Sequence, residues 1–226
     1  MADVLAVGCH PDDVEIGMGG TIAKMVRTGI SAGILDLSNG EPTPEGSPEI
    51  RAKEAEEARK VLGAEFRVTL DMSNRYIFDS VENRKKVAAV IREHKPKAIF
   101  THYWDDYHPD HIQGHNIVYA ARFYGKLTKT DMPFEPYYAP KIYFYPPVHM
   151  HPTLKPSFVI ALEEEDIEKK LESLKCYRSQ FRLKLKELLD YMNCSMRDFG
   201  KKIGNHGGEA FFAKEDISID DIEAIL

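Results

Sequence analysis

The chain has 226 residues, 43% of them hydrophobic and 29% charged, the balance of a water-soluble globular protein able to bury a full core in one domain spanning residues 1–226. Thirty Lys and Arg against 36 Asp and Glu leave a net charge of −6 with no basic stripe, which excludes a nucleic acid partner, since phosphate binding draws on clustered cations. Cys9, Cys176 and Cys194 stand at unrelated spacings, which excludes a disulfide framework and fits the reduced thiols of a cytoplasm.

Residues 3–9, "DVLAVGC", read as a buried strand. The apolar run inside it is too short for a signal-peptide core, and no stretch approaches the roughly 20 apolar residues that cross a membrane. A helix over 21–28 follows a glycine cluster, "GMGG" at 17–20, and stops at Gly29. Residues 31–38 read as a second strand and the turn-rich 39–48 as a loop. Ser47 then caps a helix with Pro48 at its first position, and Gly63 ends it. "FRVTL" (66–70) is a strand, 81–94 an amphipathic helix, "KAIFTHY" (97–103) a strand, and 110–125 a helix with Gly114 inside it. Such alternation predicts a Rossmann-like α/β fold, a mostly parallel sheet flanked by helices. Beyond residue 140 the pattern breaks into an irregular C-terminal extension. Residues 141–146 and 157–162 read as strands with no helix between them, one or both antiparallel or at an edge; 164–203 read mostly as helix, and a short acidic tail follows.

Ligands of open α/β sheets bind outside the carboxyl ends of the strands. His10, Asp12 and Asp13 lie past the end of the first strand, and "YHPDH" (107–111) past the end of the fourth. In the common doubly wound order those strands are neighbours, so the two clusters face one crevice. Imidazole and carboxylate together suit zinc, and a catalytic zinc takes three protein ligands and leaves one position open. The glycine cluster departs from G-x-G-x-x-G spacing, and Asp12, Asp13 and Glu15 put negative charge where a pyrophosphate would lie.

"CHPDD" (9–13) paired with "HPDH" (108–111) resembles the double signature of the LmbE-like, or PIG-L, zinc-dependent N-acetylglucosaminyl deacetylases. The likeness extends through 13–25, 46–64, "YRSQF" (177–181) and "GEAFF" (208–212), and is strongest toward the branch that serves bacillithiol synthesis. The resemblance implies hydrolysis of the N-acetyl group of a GlcNAc-containing small molecule, GlcNAc-malate first, to free amine and acetate. It implies His10, Asp13 and His111 as ligands of zinc or iron(II), and Asp12 as general base. His108 would steady the oxyanion or act as acid, Asp110 would orient it, and Arg51 would hold a sugar hydroxyl. It also implies a cytoplasmic homo-oligomer, trimer or hexamer, with no membrane partner. The stretch 182–199, read as continuous helix, is shorter than the corresponding irregular segment of the bacillithiol branch, which leaves the equivalence of Tyr191 open.

Two other functions remain at this point: an amidase acting on another acyl amine, such as a chitooligosaccharide or a thiol conjugate, and a zinc-containing sugar- or nucleotide-binding module without catalysis. Asp12 argues against the second, since binding alone needs no base. Each motif also has a plainer reading. His-Pro-Asp-Asp alone can be a turn that caps a helix. Arg51 on a Glu-rich helix can be a surface ion pair. Cys9 points to the face opposite His10 and belongs to the core. His115, four residues after His111, reads as a helix-surface or supporting group, and Tyr177 and Gln180 as packing and helix-end groups. His149 and His151 can border the site.

Overall fold

A computed structural model describes residues 2–147 and 154–218; His149 and His151 lie outside the described residues. Strand and helix alternate through β1 (Val4–Gly8), α1 (Asp13–Arg27), β2 (Ala32–Ser38), α2 (Pro48–Leu62), β3 (Phe66–Met72), α3 (Val81–His94), β4 (Ala98–His102), α4 (Pro109–Gly125) and β5 (Lys141–Tyr145). These five strands are all parallel, in the order β3-β2-β1-β4-β5. The winding reverses between β1 and β4, and the crevice opens at their carboxyl ends, as expected. Successive β1 side chains alternate between faces. Leu5, Val7 and Cys9 pack with residues of α3 and α4, whereas Val4 and Ala6 pack with residues of α1 and α2. A strand covered on both faces must be apolar throughout, which is why β1, β2 and β4 were legible as runs. Ser47 Oγ accepts from Ile50 N with Pro48 at the first turn, the expected cap of α2.

Two expectations change, the start of the first helix and the number of strands, and the alternatives left open for the strands after residue 140 resolve. The first helix starts at Asp13 rather than residue 21, because the glycine cluster lies inside α1 and not before it. A Cβ on Gly17 would stand 2.5 Å from the Tyr145 ring, so that glycine admits close helix–sheet contact. The chain after 140 divides its strands: β5 is a parallel edge, whereas β6 (Phe158–Leu162) leaves the main sheet. Three helices follow, α5 (Glu164–Leu174), α6 (Arg178–Phe181) and α7 (Leu185–Lys202), and then an unforeseen strand, β7 (Gly207–Phe211). It pairs antiparallel with β6, and a bridge from Phe144 to Phe212 fastens it to the main sheet. Among the described residues no helix is long and apolar enough to cross a membrane.

Candidate active site

β1 delivers Cys9, His10 and Pro11 to the crevice before α1 begins. Asp12 occupies the N-cap position with φ of 119°, in the left-handed region that a residue with a Cβ rarely adopts, and its side chain makes no capping bond. Holding that conformation costs about 1–3 kcal/mol, of the kind that collects at functional sites. The plain helix-cap reading of the two aspartates therefore fails for Asp12. Asp13 is turned inward, its Oδ2 accepting from the His10 amide at 2.8 Å.

α4 supplies the opposing wall. His108 is its N-cap, with Pro109 at the first position, and His111 follows one turn in. Two histidines are each backed by a carboxylate: His10 Nε2 lies 3.1 Å from Asp110 Oδ2, and His111 Nδ1 lies 2.8 Å from Asp106 Oδ2. Their other nitrogens converge on Asp13, with His10 Nδ1 3.3 Å from Oδ2 and His111 Nε2 3.3 Å from Oδ1. Ligands about 2.0–2.1 Å from a tetrahedral zinc stand roughly 3.3 Å apart, so this donor set suits such an ion. Carboxylate backing of the far ring nitrogen is the usual support of a metal-binding imidazole. A ring nitrogen of His108 also lies within 4.8 Å of those of His10 and His111.

These residues line a cleft of about 280 Å³ whose walls include Gly40, Thr43, Arg51, Asn74, Arg75, Gln180 and Phe181. All seven residues singled out from the sequence meet around this cleft: His10, Asp12, Asp13, Arg51, His108 and His111 line it, and Asp110 stands directly behind His10. One assigned contact is different. Asp110 directs its carboxylate to His10, not to His108; it gives His108 Nδ1 only its backbone N–H, at 3.2 Å. The reason is helical geometry: His108 is the cap that receives that amide, while the Asp110 side chain leaves the first turn toward β1. Arg51 is 2% exposed, and its fork faces Pro11 O at 2.6 Å and Asp12 Oδ2 at 3.5 Å. It is neither a surface ion pair nor a side chain standing wholly free for sugar.

Electrostatics separate the two aspartates. Burial pushes the Asp12 carboxyl up to about 7, against the pull of Arg51 and with the push of Asp13. Burial acts the same way on Asp13, but His111, His102 and His10 overcome it and hold Asp13 well below the usual carboxylate range. His108 is lowered to about 4 by burial and by its neighbours His111 and His10. It is therefore neutral at pH 7. With Nδ1 accepting from Asp110 N, its proton sits on Nε2, where it can donate.

Four contributors escaped the sequence reading. Asp106 stands two residues before His108, within the same loop, and that proximity was the signal available. His102 ends β4, stacks on His111 at 4.0 Å between ring centres, accepts from Cys9 N at 3.0 Å, and lies 3.2 Å from Asp13 Oδ2. Arg75 has no motif around it. Gln180, read as a helix-end group, lines the cleft and donates to Thr43 Oγ1 at 3.2 Å. Tyr177 is buried, its hydroxyl donating to Glu15 at 2.9 Å in a cluster with Arg67 and Asp36, so its packing reading holds. His115 is buried rather than on the helix surface, with Nδ1 2.9 Å from His102 O. Tyr191 borders a separate cavity of about 60 Å³ beside Ile16.

Residues 5–122 match the PIG-L family model, described as GlcNAc-PI de-N-acetylase. The diacetylchitobiose deacetylase of Thermococcus kodakarensis is 28% identical over 222 residues, covering 91% of this chain and 80% of its own length. A 1D-myo-inositol 2-acetamido-2-deoxy-alpha-D-glucopyranoside deacetylase of Catenulispora acidiphila is 28% identical over 163 residues, 57% of this chain and 54% of that one. The conserved protein TT1542 of Thermus thermophilus superposes with a TM-score of 0.89 at 34% identity, over 97% of both chains.

Proposed function

Because the chain belongs to the PIG-L family of GlcNAc-PI de-N-acetylases, we propose that its cleft hydrolyses the acetamide of an N-acetylglucosamine-containing small molecule, giving acetate and a free amine. The observation that carries this reading is the convergence of two carboxylate-backed histidines on Asp13, beside a strained Asp12 that is spent on no cap. A binding module without chemistry would have no use for that strain. His10, Asp13 and His111 are assigned as ligands of one divalent cation, zinc first and iron(II) second. Such a cation supplies Lewis acidity and an acidified water.

The protein's own groups do the rest. Asp12, raised to about 7, is a stronger base than an ordinary carboxylate and accepts the proton of the water whose oxygen adds to the acetyl carbon. His108 Nε2–H donates to the oxyanion left on the former carbonyl. The C–N bond then breaks, and Asp12 returns its proton to the departing nitrogen. Asp110 and Asp106 fix which nitrogens of His10 and His111 face Asp13. Arg51 keeps Asp12 from rising further and, at the cleft wall, holds a sugar hydroxyl.

GlcNAc-malate is the first substrate we assign. The Thermococcus relative makes a chitooligosaccharide the second, since that protein is named for diacetylchitobiose. The proposal includes a cytoplasmic homo-oligomer, checked by fractionation and light scattering. The function is tested by acetate release from a panel of GlcNAc conjugates, with metal content measured in the same samples. One bound divalent ion per chain and metal-dependent release from a GlcNAc conjugate are expected. A metal-loaded protein that releases no acetate from any of them would overturn the reading.

A further inference from the structure

Among the described residues, the proposed chemistry leaves one charged wall residue without a task. Arg75 follows β3 in the loop that closes one side of the cleft and is one of the residues that line it. Its φ is 68°, left-handed without being glycine, and its backbone N–H donates to Asp110 Oδ2 at 2.7 Å. The same oxygen holds His10 Nε2 at 3.1 Å. Asn74, the residue before it, is itself pinned by Nδ2 donating to Gly40 O at 2.7 Å. The loop is thus fastened on both sides of the cleft, which fixes the point on the wall from which the Arg75 side chain starts.

Its guanidinium, unlike its backbone, makes no hydrogen bond or ion pair among the described residues, and the residue is solvent-exposed. The other cation of the wall, Arg51, is buried and faces Pro11 and Asp12. The floor of the cleft holds carboxylates and histidines, while Thr43, Asn74, Gln180 and Phe181 add no charge to its walls. Among the described residues, a substrate group that extends beyond the sugar toward the solvent therefore meets one available positive charge, in a protein whose net charge of −6 repels anions at large.

Resting on the deacetylase reading above, we propose that Arg75 determines specificity by pairing with an acidic group, a carboxylate or a phosphate ester, on the aglycone of the GlcNAc substrate. The planar fork of arginine matches both oxyanions two-pronged, which neutral aglycones cannot use. Pairing at a partly exposed position acts mainly on capture of the substrate and weakens with added salt.

The test compares four GlcNAc glycosides on the metal-loaded enzyme: the methyl glycoside, the glycoside of a hydroxy acid, the methyl ester of that acid, and a glycoside bearing a phosphate ester. The readout is the ratio of kcat/KM for each acidic compound to that for the neutral ester, in which any general loss of activity cancels. Wild type is expected to favour at least one acidic compound by about tenfold or more, through KM, with the preference shrinking as salt rises. The larger of the two acidic ratios identifies the group. Arg75→Gln should bring the ratio to about one and Arg75→Lys restore part of it, since lysine keeps the charge and loses the fork. A ratio unchanged in Arg75→Gln, or near one in wild type while the methyl glycoside is hydrolysed, overturns this assignment and leaves the deacetylase reading standing. Release of acetate from none of the four overturns both.

Discussion

Asp12 and Asp13 are adjacent in sequence and opposite in protonation behaviour, and the difference makes predictions at the scale of a single residue. Asp12→Asn preserves shape and removes the ability to take a proton. Loss of a positioned base costs about 10² to 10⁴ in rate, so kcat should fall by that order while metal content by elemental analysis stays at wild type. Metal loss in that variant would make Asp12 a ligand, and near-normal kcat would require another base. Asp106, which stands behind the His111 ring, should act on the metal through it. Without that carboxylate the ring loses its orientation and part of its basicity. Asp106→Ala is expected to weaken metal affinity by about 10- to 100-fold, read by competition with a chromophoric chelator. An unchanged affinity would show that His111 needs no backing. The same residues show what one sequence can reveal. Those inside a motif, His10, Asp12, Asp13, His108 and His111, were readable as one crevice cluster from chemistry and strand-end position, while their separate roles followed only from the family resemblance. Asp106, His102 and Arg75 take their roles from contacts made after folding, and no local pattern marks them.

At the scale of elements, α1 shows why the first helix was read short and the last strand not at all. Met18 is non-helical inside α1, with φ −151° and ψ 23°, and the turn opens there. Gly20 N, which would bond Ile16 O in an unbroken helix, donates instead to Glu209 Oε1 at 3.2 Å, and Thr21 N donates to Glu209 Oε2 at 2.6 Å. Ile16 O, left open, accepts from Lys170 Nζ at 2.6 Å, and Lys170 pairs with Glu209 at 2.5 Å. Side chains 154 to 189 positions away thus complete the helix that carries Asp13, and β7 is a strand because it brings Glu209 to that break. Its sequence, "GGEAF", has neither an apolar run nor alternation, so only pairing with β6 reveals it. Strands β1 to β4, by contrast, were readable because each is an uninterrupted or alternating run between clear turns. Glu209→Leu should leave Lys170 buried, charged and unpaired, with two amides unsatisfied. A loss of about 3–5 kcal/mol in urea unfolding is expected, and the Lys170→Met/Glu209→Leu double variant should lose less than the single one. Equal losses in the two would deny the pair its part in closing the break.

At the scale of the whole molecule, stability should carry the imprint of buried neutral histidine. His115 packs among Trp104, Tyr119 and Phe144, with Nδ1 facing His102 O and Nε2 2.9 Å from Lys214 Nζ. Burial lowers its pKa from 6.5 to about 4, helped by the Lys214 charge, while the His102 carbonyl opposes the shift. The sign follows from which state binds the proton more tightly. Below about 6.5 the unfolded chain takes a proton at this position and the native chain does not until about 4. The stabilisation is therefore complete above 6.5 and is lost as pH falls through that window. For one such group the loss between pH 7 and pH 5 is about 2 kcal/mol. His115→Gln keeps an acceptor for Lys214 and does not titrate. Urea unfolding of the metal-free proteins, in which release of a bound ion cannot contribute, should show wild type losing about 2 kcal/mol more than His115→Gln over that interval. Parallel stability profiles would mean that His115 is protonated in the native state, with Lys214 displaced from its ring nitrogen.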